Sequence, residues 1–298
     1  MTGDTDHSIG IGSWLADVRR FVLDQAPDIV LVLDAYAGEA QHGRTFVAAD
    51  LARLAPGAHI LELGAGSLLL SCQLVREGFQ VTALEPVGPG FSHFDRLRDL
   101  VLGFARSRGH APTLLTMPAE QLDIRSQVDF AFSVNVMEHV VDVGRVIERV
   151  AASLKAGACY RFTCPNYLFP YEPHFNLFTL FSKALTARLR SRSIFQRPDM
   201  PDAVEVWRSL NWISVPMVAQ AARAITGIDA KFNRQMLVHT VERMASDAQF
   251  AARHTGVLRV VLLAMLRFRL HRLFAMVPAS LQPVMDCSIA RRGAIGGA

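Results

Sequence analysis

Lysine is nearly absent: Lys155, Lys183 and Lys231 are the only three in 298 residues, so the net charge of +4 rests on arginine. The basic residues gather in Lys183–Arg197, in Arg253–Arg272 and at Arg291-Arg292. Such patches suit nucleic acid, anionic lipid or a phosphorylated substrate, or they are a solvated face with no partner. The interleaved aromatic and basic stripe of an RNA-binding face is missing, so no nucleic-acid partner is expected. Cysteine is sparse as well. Cys72, Cys159, Cys164 and Cys287 show neither CxxC spacing nor a disulfide framework, and they read as reduced small hydrophobes. The opening Met1–Ser8 is polar, with no basic-then-apolar segment and cleavage site, and the expected location is cytoplasmic. A long uncharged run is lacking too. Residues 257–277 are strongly apolar, but Arg259, Arg267, Arg269 and Arg272 interrupt them. Their longest uncharged stretch, Val260–Leu266, is far short of the roughly 20 residues that a span needs. The four arginines spread around a helical wheel rather than forming a stripe. Three readings of this segment stay open: a buried helix with a basic end, a helix packed on a partner, and peripheral contact with the inner face of a membrane.

What the chain does have is apolar periodicity. Hydrophobic residues make up 51% of it, ample for a large core and against long disorder. Helices are expected at 13–26 and at 28–41, the second starting on Pro27, then a break at His42-Gly43-Arg44 and a helix over 45–54. Strands are expected at 59–63, 80–85, 112–116, 128–134 and 158–164, alternating with helices at 68–77, 92–108 and 143–154. That alternation implies an α/β fold with a parallel sheet and right-handed crossovers. The loops at 64–67, 85–91, 117–122, 135–142 and 165–175 then converge on one crevice at the strand carboxyl ends. Beyond Cys164 the texture changes. Pro165–Phe175 holds three prolines and four aromatics and cannot be regular helix. A helix-like segment at 176–191, a polar loop at 192–205, a helix at 214–226 and a closing strand near 228–233 follow.

One stretch carries the chemistry. His59-Ile-Leu-Glu62-Leu-Gly64-Ala65-Gly66-Ser67 ends an apolar strand in a tight Gly-x-Gly turn, and Glu85, nineteen residues after Gly66, ends the next strand. This is a β-α-β unit with a nucleotide-like ligand laid across it. The glycines let backbone approach the ligand, and Glu85 can accept hydrogen bonds from both hydroxyls of a ribose. A dinucleotide and S-adenosyl-L-methionine both fit that grammar, and Glu62 separates them. It would repel a pyrophosphate at the helix start, but it can help hold an ammonium. Leu69 also stands where the dinucleotide fingerprint has its third glycine.

Several segments together carry a family resemblance: Glu62-Leu-Gly-Ala-Gly66, Glu85, Val128–Val140 with Asn135-Val-Met-Glu-His-Val140, and Leu154-Lys-Ala-Gly157. In order and spacing the chain resembles the class I S-adenosylmethionine-dependent methyltransferases, and in particular the small-molecule branch of quinone-biosynthesis and polysaccharide-associated enzymes. The resemblance covers about residues 30–165. It implies a Rossmann-like doubly wound sheet, with an N-terminal helical cover (1–56), a cofactor-binding core (57–235) and a helical, basic-apolar C-terminal extension (236–298). It also implies that Glu62, Gly64, Ala65, Gly66, Glu85, Pro86, Ala119, Glu120 and Asn135 contact the cofactor, and that Arg44 meets the methionine carboxylate. The chain departs from the family pattern at Leu68, where many members have a glycine, and at Met117-Pro-Ala-Glu120, where Pro118 replaces an acid that often contacts adenine.

Methyl transfer from a sulfonium needs alignment and exclusion of water more than a nucleophilic side chain. A hydroxyl acceptor also needs a base. His139, whose ordinary pKa suits neutral pH, is the first candidate and His174 the second. Tyr36, Asn166, Tyr167 and Tyr171 are the expected substrate contacts. Glu138 beside His139 makes a metal pair conceivable, but adjacent residues rarely converge on one ion, and no metal is expected. The expected acceptor is a sugar or lipid hydroxyl, with a quinone or aromatic small molecule as the alternative. No Asn/Asp-Pro-Pro-Tyr signature for amino-nitrogen chemistry is present. A non-catalytic cofactor-binding or scaffold role stays open, and the oligomeric state is not legible.

Overall fold

The computed structural model describes residues 10–86, 95–180, 182–197, 200, 202–246 and 256–293. The chain forms two compact units. The first takes the described residues of Met1–Val136, Arg145–Tyr160 and Ala290–Ala298, and the second those of Met137–Gly144 and Arg161–Ile289.

In the first unit, α1 (Ile11–Gln25) buries Trp14, Leu15, Val18 and Val22 on one face, a spacing close to the helical period. Pro27 opens a 3-10 turn (Pro27–Ile29) that leads into α2 (Val30–Phe46). The break expected at Gly43 is not there. Gly43 sits inside α2 because a Cβ on it would come within 2.8 Å of Leu70; the glycine serves a close helix contact and does not end the helix. The helix expected over 45–54 shrinks to α3 (Ala48–Leu51).

β1 (His59–Leu63), α4 (Leu69–Arg76), β2 (Gln80–Leu84), α5 (Asp95–Ser107), β3 (Thr113–Leu115), β4 (Val128–Val134) and α6 (Val143–Ser153) follow within a few residues of expectation. β2 and β4 flank β1 in parallel, and β3 adds to β2 in parallel. Their apolar, doubly buried sequences are those of a sheet covered on both faces. Beyond Pro86, the loop expected at 85–91 lies outside the described residues.

β5 (Leu154–Pro165) runs longer than expected. In the second unit, β6 (Tyr171–Glu172) and β7 (Leu177–Phe178) form an antiparallel pair within and just after the aromatic segment. The helix expected over 176–191 is therefore cut to α7 (Lys183–Leu189), while α8 (Ser191–Phe195) falls largely in the stretch expected as polar loop. α9 (Ala203–Ser209), α10 (Val215–Ala224), β8 (Ile228–Asn233), α11 (Met236–Ser246) and α12 (Gly256–Arg267) lead to a 3-10 segment (Leu270–Met276). The C-terminal segment read as helical also carries a strand, β9 (Val284–Arg291). It lies between β5 and β8, in the sheet order β3-β2-β1-β4-β5-β9-β8. The sheet is mostly parallel with flanking helices, a Rossmann-like arrangement.

Candidate active site

The Gly-x-Gly turn is built by backbone bonds. Gly64 and Ala65 N–H donate to the Leu84 carbonyl at 2.7 and 3.2 Å, which ties the loop to the end of β2. Gly64 has φ +66°, and a Cβ there would fall 2.2 Å from Val136 Cγ2. Gly66 has φ +50° with nothing within 4 Å of an added Cβ, so its face is open. Leu68 takes the left-handed φ of 64° with its side chain wholly buried.

Both acids of the motif are buried. Glu85 accepts the Gly66 N–H at 2.8 Å. Burial pushes its carboxyl up to about 7, against the Gly66 bond and the charge of Arg98. Glu62 accepts the Ser71 hydroxyl, and burial, with a smaller push from Glu85, raises it to about 8. Two desolvated carboxylates bordering an open glycine face favour a cationic ligand, because a positive charge there restores what burial removes. A sulfonium with an α-ammonium fits this donor set, and a pyrophosphate does not. Tyr36 is half-buried, and its hydroxyl is pushed up by burial and then by the charges of Glu39 and Glu85. Ala119 is buried at the start of a 3-10 turn (Ala119–Gln121) that includes a half-buried Glu120. Asn135 is exposed with φ 55° just after β4, and Pro86 is half-buried just after β2. Arg44 is turned elsewhere: its Nε donates to both oxygens of Glu77 at 2.9 and 3.1 Å. That pairing takes Arg44 out of the expected carboxylate contact.

A second cluster is assembled inside the second unit. Glu172 is fully buried and accepts from His174 Nδ1 at 2.6 Å, from the Phe175 N–H at 2.6 Å and from the Tyr167 hydroxyl at 3.1 Å. His174 Nε2 lies 4.0 Å from Glu138 Oε1. Glu138 is also fully buried, neither of its carboxylate oxygens has a hydrogen-bond partner, and burial raises it to about 7. His139 Nδ1 meets Ser209 Oγ at 2.7 Å, and its ring stands edge-on to His174 with centroids 5.2 Å apart. Burial, His174 and Lys183 push His139 down to about 3, below the ordinary value on which its candidacy as a base rested.

Asn211 braces this turn by donating to the Met137 and Val140 carbonyls at 2.7 and 2.8 Å. Tyr167 stacks on Trp212 at 4.4 Å, and its buried hydroxyl is committed to Glu172. Asn166, expected at the substrate, is fully buried: its amide donates to the Ser280 and Gln282 carbonyls and accepts the Val215 N–H, which pins the loop. Tyr171 donates to Asn176 at 2.6 Å in an exposed setting. Glu138, His139 and His174 each bring a ligand atom within 4.8 Å of the others, a trio able to hold a divalent cation. Sequence reasoning passed over Glu172 and Trp212. Glu172 was legible only as one acid amid aromatics.

The sheet and its glycine turn are those of a methyltransferase domain. Residues 61–162 match the family described as methyltransferase domain. The chain carries a methyltransferase domain of the class I S-adenosylmethionine-dependent kind and is an enzyme that uses S-adenosylmethionine. Across its length it is similar to an uncharacterised protein of Mycobacterium tuberculosis, 44% identical over 279 residues that cover 94% of each chain. A ubiquinone biosynthesis O-methyltransferase of Bradyrhizobium diazoefficiens is 31% identical over 103 residues, 33% of this chain and 36% of that one. In fold alone it is similar to the geranyl diphosphate C-methyltransferase of Streptomyces coelicolor, at TM-score 0.50 and 12% identity over 97% of this chain and 88% of that one.

Proposed function

We propose that the enzyme methylates a hydroxyl oxygen, on a sugar or lipid-linked acceptor, with His174 as the base. The observation that carries this reading is the Glu172–His174 pair. A buried carboxylate 2.6 Å from Nδ1 fixes the ring, so that Nε2 is the nitrogen that takes the acceptor proton. Glu172 also stabilises the imidazolium as it forms. Glu138, poised near neutrality, borders the same nitrogen and either takes up or shares that proton. His139, neutral and bonded to Ser209, shapes the wall without taking the proton.

In the first unit, Glu62 and Glu85 hold the cationic donor, with Gly64, Ala65 and Gly66 giving backbone access. Tyr36, Pro86, Ala119, Glu120 and Asn135 complete its surroundings. Bound S-adenosylmethionine supplies an activated methyl group; the protein contributes alignment and a dry setting. A quinol hydroxyl is the second reading, favoured by the 103-residue similarity to a ubiquinone O-methyltransferase. The expected location is cytoplasmic.

The test is transfer of labelled methyl from S-adenosylmethionine to lipid-linked sugars, free glycans and quinols. His174→Ala should lower turnover by roughly a hundredfold or more, the usual worth of a general base, with donor affinity unchanged. His139→Ala should cost far less. Donor binding with no transfer to any acceptor class would instead favour a binding or scaffold role.

A further inference from the structure

α12 and the 3-10 segment after it present an unusual surface. On α12 the outward arc is Val260, Leu263, Ala264 and Arg267, spaced i, i+3, i+4 and i+7, with Val261 and Phe268 on one shoulder and Arg259 on the other. A surface helix normally turns its polar stripe outward and its apolar stripe inward. Here the outward side is apolar. Val260 and Phe268 are 67% and 68% exposed, and Leu273 and Met276, on the 3-10 segment, are 59% and 76% exposed. Leu262, Met265 and Leu266 on the inner side are half-buried. Below the surface the segment is anchored, since buried His271 bridges the Met265 carbonyl and Glu242 at 3.3 Å each. The exposed apolar side chains thus stand on a fixed base.

Charge selects the occupant. Arg259, Arg267, Arg269 and Arg272 are all exposed and interleaved with the apolar side chains. The sequence has no Asp or Glu anywhere from Ala248 to Met285. A second copy would bring four arginines onto four arginines with no acid in the segment to neutralise them. A lipid surface supplies both missing halves: acyl chains for the valines, leucines and Phe268, and headgroup phosphates within reach of arginine side chains that lie along the apolar layer. No helix among the described residues is long and apolar enough to cross a membrane. At about 1.5 Å per residue, the twelve residues of α12 reach roughly 18 Å, which suits a helix lying in the plane. We propose that residues 259–276 are a docking surface for anionic membrane lipid, with α12 lying in the headgroup layer. This goes beyond the methyl-transfer reading and does not depend on the acceptor.

The test uses the full chain and vesicles of phosphatidylcholine, with or without a phosphatidylglycerol fraction of about one third. Co-sedimentation should be strong with phosphatidylglycerol, weak without it, and reduced by salt. Arg267→Gln with Arg272→Gln should weaken binding roughly thirtyfold, two headgroup interactions' worth. Val260→Ser with Phe268→Ser should weaken it independently by at least tenfold. These side chains are exposed, so an unchanged thermal transition in each variant confirms that the fold is intact.

Equal affinity for both vesicle types, or no binding to either, overturns the proposal. So does binding that the apolar variant leaves unchanged, which would mark simple charge attraction. Failure on vesicles together with self-association that Phe268→Ser abolishes would assign the face to a second copy. Failure on both counts would leave an acidic, apolar protein partner as the occupant.

Discussion

The Glu62 and Glu85 carboxyls are raised to about 8 and about 7 by desolvation, and neither is fully ionised at neutral pH in the free enzyme. The sign of the consequence follows. A carboxyl whose folded pKa lies above its unfolded value stabilises the fold below about pH 4.5, and that contribution is lost as pH rises through the folded pKa. The free protein therefore loses stability from these groups between roughly pH 4.5 and 8. A cationic ligand reverses this by favouring the ionised forms, and its own α-ammonium stays charged below about pH 7.7. S-adenosylmethionine affinity should rise by up to about tenfold per pH unit between roughly pH 6 and 7.5, with proton release on binding. Calorimetry in buffers of differing ionisation enthalpy measures that release directly. Glu62→Gln should remove much of it while keeping the Ser71 hydrogen bond. Affinity that is flat with pH would mean that the ligand's charge does not meet these carboxylates.

At the scale of elements, Gly64 and Val136 form a tight joint in the first unit. A Cβ at Gly64 would sit 2.2 Å from Val136 Cγ2 and would also have to accept φ +66°. Gly64→Ala should cost about 2–5 kcal/mol, the sum of overpacking and left-handed strain, and should abolish donor binding. Adding Val136→Ala should return the steric part and leave about 1–2 kcal/mol of conformational cost. Urea unfolding of both variants closes the cycle, and an additive pair would show that the two residues do not press on each other.

This joint also shows what sequence could and could not reveal. The β1–turn–α4–β2 unit was legible because its pattern is local: an apolar run, two glycines, an apolar helix and an acid nineteen residues on. Gly43 was misread because its reason for being glycine, contact with Leu70, lies 27 residues away. The candidate histidines were visible, but their roles were not. Ser209, 70 residues from His139, meets that ring, and the buried Glu172 meets His174, which only the folded chain shows. Arg44 looked available for a carboxylate, and Glu77 takes it. β9 escaped because Asp286 interrupts a short apolar run after a long irregular stretch, and only its partners make that acid sensible.

Those partners matter to the whole molecule. Asp286 is 1% exposed and pairs with Arg161 Nη2 at 2.7 Å, while Asn233 donates to it at 2.9 Å. A single carboxylate therefore joins side chains from β5, β9 and β8. Both β5 and β9 run through the two compact units, and the last residues of β9 return to the first, where Arg291 donates to the Ala152 and Leu154 carbonyls. Removing a partner from a buried pair leaves an uncompensated charge, at a cost of about 3–5 kcal/mol. Asp286→Ala should lose that much stability. Asp286→Leu paired with Arg161→Met should recover most of it, because the charge to be compensated is gone. Because the strands are covalently continuous across both units, we expect hydrogen-exchange protection to fall by the same amount in β1 as in β8. Loss confined to β8 would show that the units open independently and that β9 secures only the second. Equal loss would show that the C-terminal strand, far in sequence from the glycine loop, sets the stability of the first unit.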